Sequence, residues 1–402
     1  WLFADPIFKA MDLTVVYPEN YGTVCAASGA APSFLDRSDA EGFPTHICGY
    51  SRVTLGYTAR MVRDLGGAEI PPEAPMGGMA KPILLVASTA GCDVRYKWFQ
   101  ALGRYMDVPV WCLESTNPGV KELFLEGAYE RGVKDRVEHL RDFVAFLERL
   151  LGQKMDWDKL DETVDTMIEQ QRLWYEINQL RKAKPCPMHS RDFYSAAPPA
   201  MFLMGDLKDS VEKYKDLYTE VKDRVDNHIS GMFPEEKYRL LFAELPPWHS
   251  LGTFDKLAER GWNFPVETFS YHPPIPADLT PYHDPLERIV RFSDRSIFAY
   301  YEGAREENVA NVLAYIYLTY VRDWKCDGIF LHPLRTCRAA STALPHVATL
   351  VMERAKVPSL VAEGDIVDLR VFDAEGTLRK AEPFEETMDY YRRKRKEEGF
   401  DW

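Results

Sequence analysis

Residues 327–338, Asp-Gly-Ile-Phe-Leu-His-Pro-Leu-Arg-Thr-Cys-Arg, constrain the fold of this chain more than any other stretch. The run from Gly328 to His332 is apolar at consecutive positions up to its last residue. Such a run suits a short strand covered on both faces, as in a parallel sheet. The loop after it delivers Cys337, and a helix is predicted to begin near Ala339. Two more cysteines lie in comparable places. Cys92 follows the apolar run Ile83-Leu84-Leu85-Val86-Ala87-Ser88, and Cys48 stands at the predicted helix start Cys48-Gly49-Tyr50-Ser51-Arg52. In open parallel sheets ligands collect outside the carboxyl ends of the strands, so the three thiols are expected to meet. Seven cysteines, odd in number and widely spaced, do not make a disulfide framework. In a reducing compartment, three converging thiolates point instead to a metal site.

The rest of the chain follows the same alternation. Leu13 to Tyr17 reads as extended, and a helix is predicted from about Tyr21 to Ala30, with Asn20 as a plausible cap. Pro82 to Ser88 reads as a central strand, the segment containing Lys97-Trp98-Phe99 as a helix, and Val108 to Leu113 as the next strand. From about Val120 to Lys184 the pattern becomes long amphipathic helices, with Leu140, Phe143, Val144, Phe146, Leu147, Leu150 and Leu151 at helical spacing. A second α/β unit starts at Tyr238 to Ala243 and continues through strands near Phe264, Gly328 and Pro358 to a basic helix over Pro383 to Glu397. The segment from Tyr271 to Pro285, dense in Pro, His and Tyr, reads as a loop near ligand or partner. Strands alternating with helices imply parallel β-α-β units. The expected architecture is α/β, with two Rossmann- or flavodoxin-like parallel-sheet domains at 1–130 and 233–402 and a helical segment at 131–232 between them.

A length of 402 residues allows a large core. The formal charge of -13 argues against nucleic acid and against an anionic membrane surface. No apolar run is long enough to span a bilayer, and nothing resembles a signal peptide, so a cytoplasmic protein is expected. No CxxC, HExxH, GxxxxGK[ST] or GxGxxG occurs. If ATP is used, it is expected to bind another chain. Cys326, Cys112 and Cys25 read as packing cysteines and Cys186 as a loop residue; for Cys48, Cys92 and Cys337 packing and ligation both stay open on residue context alone.

Several blocks together resemble one known family. Tyr17-Pro18-Glu19-Asn20, His46-Ile47-Cys48-Gly49-Tyr50-Ser51-Arg52, Gly91-Cys92 with Lys97-Trp98-Phe99, Glu235-Glu236-Lys237-Tyr238-Arg239, and Cys326-Asp327-Gly328 with Arg335-Thr336-Cys337 are similar to the 2-hydroxyacyl-CoA dehydratase / benzoyl-CoA reductase family, in order and rough spacing. The resemblance implies a [4Fe-4S] cluster held by Cys48, Cys92 and Cys337. It also implies a homologous cluster-binding sister subunit, a CoA thioester substrate, and an ATP-hydrolysing iron-sulfur activator that supplies low-potential electrons. Glu19 matches a glutamate near the substrate in the dehydratases, where it would serve as acid or base; the alternative is a helix-start carboxylate favoured by the macrodipole. His46 is a candidate proton donor or a group that supports the cluster from behind. His332 and Arg335, which flank Cys337, are candidates to hydrogen-bond cluster or substrate. Trp248, His249, Tyr271 and His272 are pocket candidates.

The dehydratases carry Asn-Asn-Ile-Cys before the second ligand, whereas this chain has Ser88-Thr89-Ala90-Gly91-Cys92, which is similar to the reductase branch. Where the dehydratases place a serine against the substrate hydroxyl, this chain aligns Trp1 or its neighbour, which favours an aromatic pocket wall. The leading expectation is therefore the cluster subunit of an ATP-dependent benzoyl-CoA-type reductase, an oxidoreductase giving a cyclic dienoyl-CoA. The alternatives are a subunit of an (R)-2-hydroxyacyl-CoA dehydratase, a lyase working through a ketyl radical, and a non-catalytic electron-relay subunit.

Overall fold

Proline sets the first helices. Pro6, Pro18 and Pro32 lie in the opening turns of α1 (Asp5–Ala10), α2 (Pro18–Ala27) and α3 (Ala31–Ala40), where a missing amide hydrogen costs nothing. The computed structural model describes residues 4–67, 69–89, 92–114, 124–202, 205–233, 235–268, 278–294 and 297–402. Trp1 and the Tyr271-His272 pair therefore lie outside the described residues. The expected cap at Asn20 is corrected: Pro18 opens α2, Tyr17 is its extended N-cap, and Asn20 lies inside the first turn. Proline at N1 holds the residue before it extended, which leaves no place for a later start. Helix α4 (Gly49–Ala59) is buried at every residue and runs on into one wide turn, Arg60–Asp64.

A parallel crossover follows. Strands β1 (Leu85–Ser88) and β2 (Val110–Leu113) pair with Leu85 opposite Val110 and Ser88 opposite Leu113, joined by α5 (Arg95–Met106). The side-chain alternation of β1 divides the surroundings. Leu85 and Ala87 join a core with Phe99, Leu102 and Met106 of α5, while Leu84 and Val86 face a second core built with α6 (Ala128–Leu151). Trp111 of β2 packs on Phe146 of α6 with ring centroids 4.7 Å apart. Of the apolar stripe read from the sequence, Leu140, Phe143, Val144 and Leu147 are buried, but Leu150 is 40% exposed.

Helices α7 (Trp157–Leu180) and α8 (Leu207–Asp226) complete the middle of the chain. The three long helices share the cores of the two sheets. Leu140 and Phe143 of α6 pack with Leu113 of β2, whereas Trp174 and Ile177 of α7 pack in the cluster that holds Tyr238 and Phe242. At the end of α7, Arg181 makes a buried ion pair with Glu267 at 2.8 Å.

The second sheet has strand order β4-β3-β5-β6, all parallel, from β3 (Tyr238–Ala243), β4 (Trp262–Glu267), β5 (Gly328–Leu331) and β6 (Ser359–Val361). Both faces are covered, which explains the uninterrupted apolar runs. Leu241, Ala243, Ile329 and Leu331 meet α9 (Val312–Asp323) and α10 (Leu344–Ala355). On the other face Phe242 stacks on Phe330 at 5.2 Å, beside Phe384 of α11 (Ala381–Glu397). The amino-terminal edge of this sheet is locked by Asp327, which accepts from the Arg239 amide, Arg392 and Arg395. The carboxyl edge is left for the site. Among the described residues no helix is long and apolar enough to cross a membrane.

Candidate functional site

Each of the three cysteines singled out above sits just ahead of a helix. Cys48 is the N-cap of α4, Cys337 is the N-cap of the short turn Arg338–Ser341, and Cys92 lies between β1 and α5. Helix starts present amide hydrogens and a positive dipole end, which favours anionic sulfur. The chain joins the first and last of these positions directly. The Gly49 amide donates to Thr336 Oγ1 at 3.2 Å, and the Thr336 hydroxyl donates to Asp365. Asp365 in turn accepts the Val367 and Asp368 amides, each at 3.0 Å. Residue 49 must be glycine for this fit, because a Cβ there would lie 2.6 Å from Val367 Cγ2 and 2.7 Å from Asp365 Oδ1. Segments 287 positions apart are thus docked, with a cysteine next to each end of the hydrogen bond.

The Cys48 and Cys337 thiols both feel their neighbours. Burial pushes the Cys48 thiol up; the Ser51 amide draws it partway back, and the nearby Glu19, Cys337 and Cys92 push it further. Burial also raises Cys337, with the Ala340 amide opposing and Cys92, Glu244 and Asp93 adding to the rise. Among the described residues no three His, Cys, Asp or Glu side chains are close enough to clasp a single metal ion.

Glu19, in the first turn of α2, accepts from Arg95 Nε at 2.9 Å, and Arg95 is the first residue of α5. Both line a cavity of about 480 Å³ that runs between residues 13–19, β1 and the end of α6. A cavity of that size, apolar with a few convergent polar groups, is the ordinary form of a small-molecule site. The Glu19 charge is felt at Cys48.

The remaining candidates divide. Trp248 is tied to the start of the Cys48 helix: its indole donates to the Tyr50 hydroxyl at 2.7 Å, and Tyr50 follows Cys48 by two residues. The next residue, His249, has its Nε2 3.0 Å from the Asp365 carbonyl, and burial lowers its basicity. His332 is wholly buried at the end of β5 between Phe242 and Phe372. Its Nδ1 donates to the Leu245 carbonyl at 2.7 Å, and burial lowers its pKa to about 4, so it is neutral and ties two strand exits together. Its Nε2 has no partner among the described residues. Arg335 points to solvent in an exposed pair with Glu363, and His46 is exposed in the turn before Cys48. Cys25 and Cys326 are buried, as packing cysteines should be, and Cys112 lies half-buried in β2; Cys186, in its loop, is buried as well.

One residue at this edge escaped sequence reasoning. Glu244, directly after β3, has a φ of 79°, an uncommon conformation for a non-glycine residue. Its amide donates to Thr268 Oγ1 at 3.0 Å, and the Tyr317 hydroxyl donates to its carboxylate. Burial raises the carboxyl to about 7, with Tyr317 opposing. Neither the turn nor the partners leave a signal in a single sequence.

Comparison with known proteins gives the family of the chain. Residues 1–388 match the family model described as 2-hydroxyglutaryl-CoA dehydratase, D-component. The chain is 25% identical over 378 residues to the (R)-phenyllactyl-CoA dehydratase alpha subunit of Clostridium sporogenes, covering 92% of this chain and 84% of the relative. It is 24% identical over 379 residues to the (R)-2-hydroxyisocaproyl-CoA dehydratase alpha subunit of Clostridioides difficile, with the same two coverages, 92% and 84%. A benzoyl-CoA reductase subunit of Thauera aromatica is 23% identical over 366 residues, covering 88% and 80%.

Proposed function

The chain belongs to the 2-hydroxyglutaryl-CoA dehydratase D-component family, and from that premise we propose that it is the cluster-holding subunit of a 2-hydroxyacyl-CoA dehydratase. In this reading Cys48, Cys92 and Cys337 hold one [4Fe-4S] cluster in the cleft between two nucleotide-fold-like domains, 1–130 and 233–402, with 131–232 between them. The donor set fits: three soft thiols, two of them at N-cap positions, with the Ser51 and Ala340 amides turned towards those two sulfurs. Burial keeps the Cys48 and Cys337 thiols protonated until iron displaces the protons, so loading is expected to release acid. When bound, a cluster with three cysteine ligands supplies single electrons at low potential and one iron open to a ligand.

The chain's own residues do the rest. Glu19 lines the cavity with its charge felt at Cys48 and its carboxylate oriented by Arg95, which suits it to hold or move a proton on a bound thioester. Trp248 and Tyr50 wall the site, and His249 and Thr336 fix the Asp365 loop behind Cys48. The absence of a nucleotide motif supports a separate ATP-hydrolysing activator. Relatives named as alpha subunits support a sister chain, and a cytoplasmic location goes with the reading.

The observation that carries the dehydratase is Glu19, a positioned carboxylate that lines the cavity and is felt at Cys48. The benzoyl-CoA reductase reading stands second, supported by Gly91-Cys92 in the sequence and by the Thauera relative. The deciding experiment is anaerobic turnover with sister subunit, activator, ATP and a strong reductant. An (R)-2-hydroxyacyl-CoA should give an enoyl-CoA, and Glu19→Gln should slow this by about 10²–10⁴-fold. Product from benzoyl-CoA alone moves the assignment to the reductase. No product from either, with cluster present, favours a relay subunit.

A further inference from the structure

We propose that the cavity beside β1 is the acyl pocket of this subunit and selects an apolar acyl group, aryl or branched alkyl, over one that carries a second carboxylate. The inference rests on the reading above for the CoA thioester and goes beyond it in naming the acyl class. The cavity holds about 480 Å³, ample for a phenyl or branched five-carbon group. Phe8, Leu13, Met61, Val86, Leu102 and Leu147 are among its walls. Its charged lining groups are already matched or solvated. Glu19 is paired with Arg95, Asp5 accepts from Tyr17, and Lys81 is exposed. A glutaryl-type carboxylate buried here would lose water and find Arg95 already paired with Glu19 and only the exposed Lys81 as a further cation, a cost that apolar groups do not carry.

The exposed part of the lining bears on what enters the cavity. Val16, Ile83 and Leu150 line it and are 49%, 62% and 40% exposed. This apolar rim explains why Leu150 escapes the buried stripe of α6. The phosphates of coenzyme A need cations, and among the described residues Lys81 and Arg95 are the only basic side chains that line the cavity. An arm leaving past Val16, Ile83 and Leu150 would carry those phosphates onto an apolar rim. The acyl group, not the arm, is the occupant that matches. Val86 offers the test position: it lies on the half-buried face of β1 and lines the cavity, but makes no part of the thiol site.

The test is calorimetric titration of the chain, prepared anaerobically with its sister subunit, with four non-reacting thioesters: acetyl-, 4-methylpentanoyl-, 3-phenylpropanoyl- and glutaryl-CoA. The two large apolar thioesters should bind at least about tenfold more tightly than glutaryl-CoA. Val86→Phe should weaken those two about tenfold and leave acetyl-CoA unchanged, and Val86→Ala should preserve or improve the phenylpropanoyl complex. Equal weakening of acetyl-CoA by Val86→Phe would put the CoA arm in the cavity and overturn the proposal. So would identical affinities across the series with both variants silent. If no thioester binds, the parent reading fails and takes this inference with it, an outcome distinct from the other two.

Discussion

The two sheets make an instructive pair. The first, β1 and β2, is a single parallel crossover whose one face looks into a cavity. The second has four parallel strands, three of them buried at every residue, and is closed at the amino edge by the Asp327 ion network. The first half supplies Cys48, Cys92, Glu19 and the apolar chamber, while the second supplies Cys337 and the loops around Asp365 and Glu244. The thinner unit is the one that makes room for a ligand, and the thicker one holds the rim at which the parts meet. A rigid platform placed against a roomier partner is a sound way to fix a site within small tolerances.

If this division holds, the largest effects should come from either half's cysteines. Changing Cys48, Cys92 or Cys337 singly to Ala should abolish stable iron binding, while Ala at Cys25, Cys112, Cys186 or Cys326 should leave the iron content intact; colorimetric iron and sulfide per chain reads both. Next comes the seam between the halves. Gly49→Ala forces a Cβ against Val367 and Asp365 and should cost about 1–3 kcal/mol in denaturant stability, together with weaker cluster retention.

Thr336→Val should cost somewhat less, about 1–2 kcal/mol, because it strands the Gly49 amide and one Asp365 oxygen while keeping the shape. Glu244 gives a pH signature for the second half alone. Its folded pKa of about 7 lies above the ordinary 4.5. The stability it contributes is therefore complete below about pH 4.5 and lost as pH rises through about 7, on the order of 3 kcal/mol. Urea titrations of the cluster-free chain should show that slope, and Glu244→Gln should flatten it. Arg335→Ala is the smallest case. Its exposed pair with Glu363 should contribute about 0–1 kcal/mol, and thioester affinity should not move. A large loss of affinity there would shift the substrate towards the second sheet.

What the sequence made legible follows from local chemistry. β3 was readable to the residue, because six consecutive positions are buried on two covered faces. Cys48 ahead of a helix and Cys337 past a strand were readable for the same reason: strand ends and helix starts are written in neighbouring residues. α2 was misplaced because Asn20 competed as a cap with Pro18, whose fixed backbone decides the start. Leu13 to Tyr17 was read as extended, yet it joins no strand ladder and instead lines the cavity. The links that make a site of these pieces are long-range. Arg95 reaches Glu19 across 76 residues and Gly49 meets Thr336 across 287, and no local pattern announces either. Arg335 and His332 looked functional by proximity to Cys337, but alternation along and beyond β5 sends one to solvent and the other inward.

The central claim is that three thiols from two unlike halves grip one cube. Mössbauer spectroscopy with iron quantification on the anaerobically reconstituted chain tests it most directly. The account predicts about four irons and four sulfides per chain, lost together when Cys337 alone is replaced. A chain that takes up no iron, or one that keeps its cluster after Cys48, Cys92 and Cys337 are all changed to Ala, would contradict it.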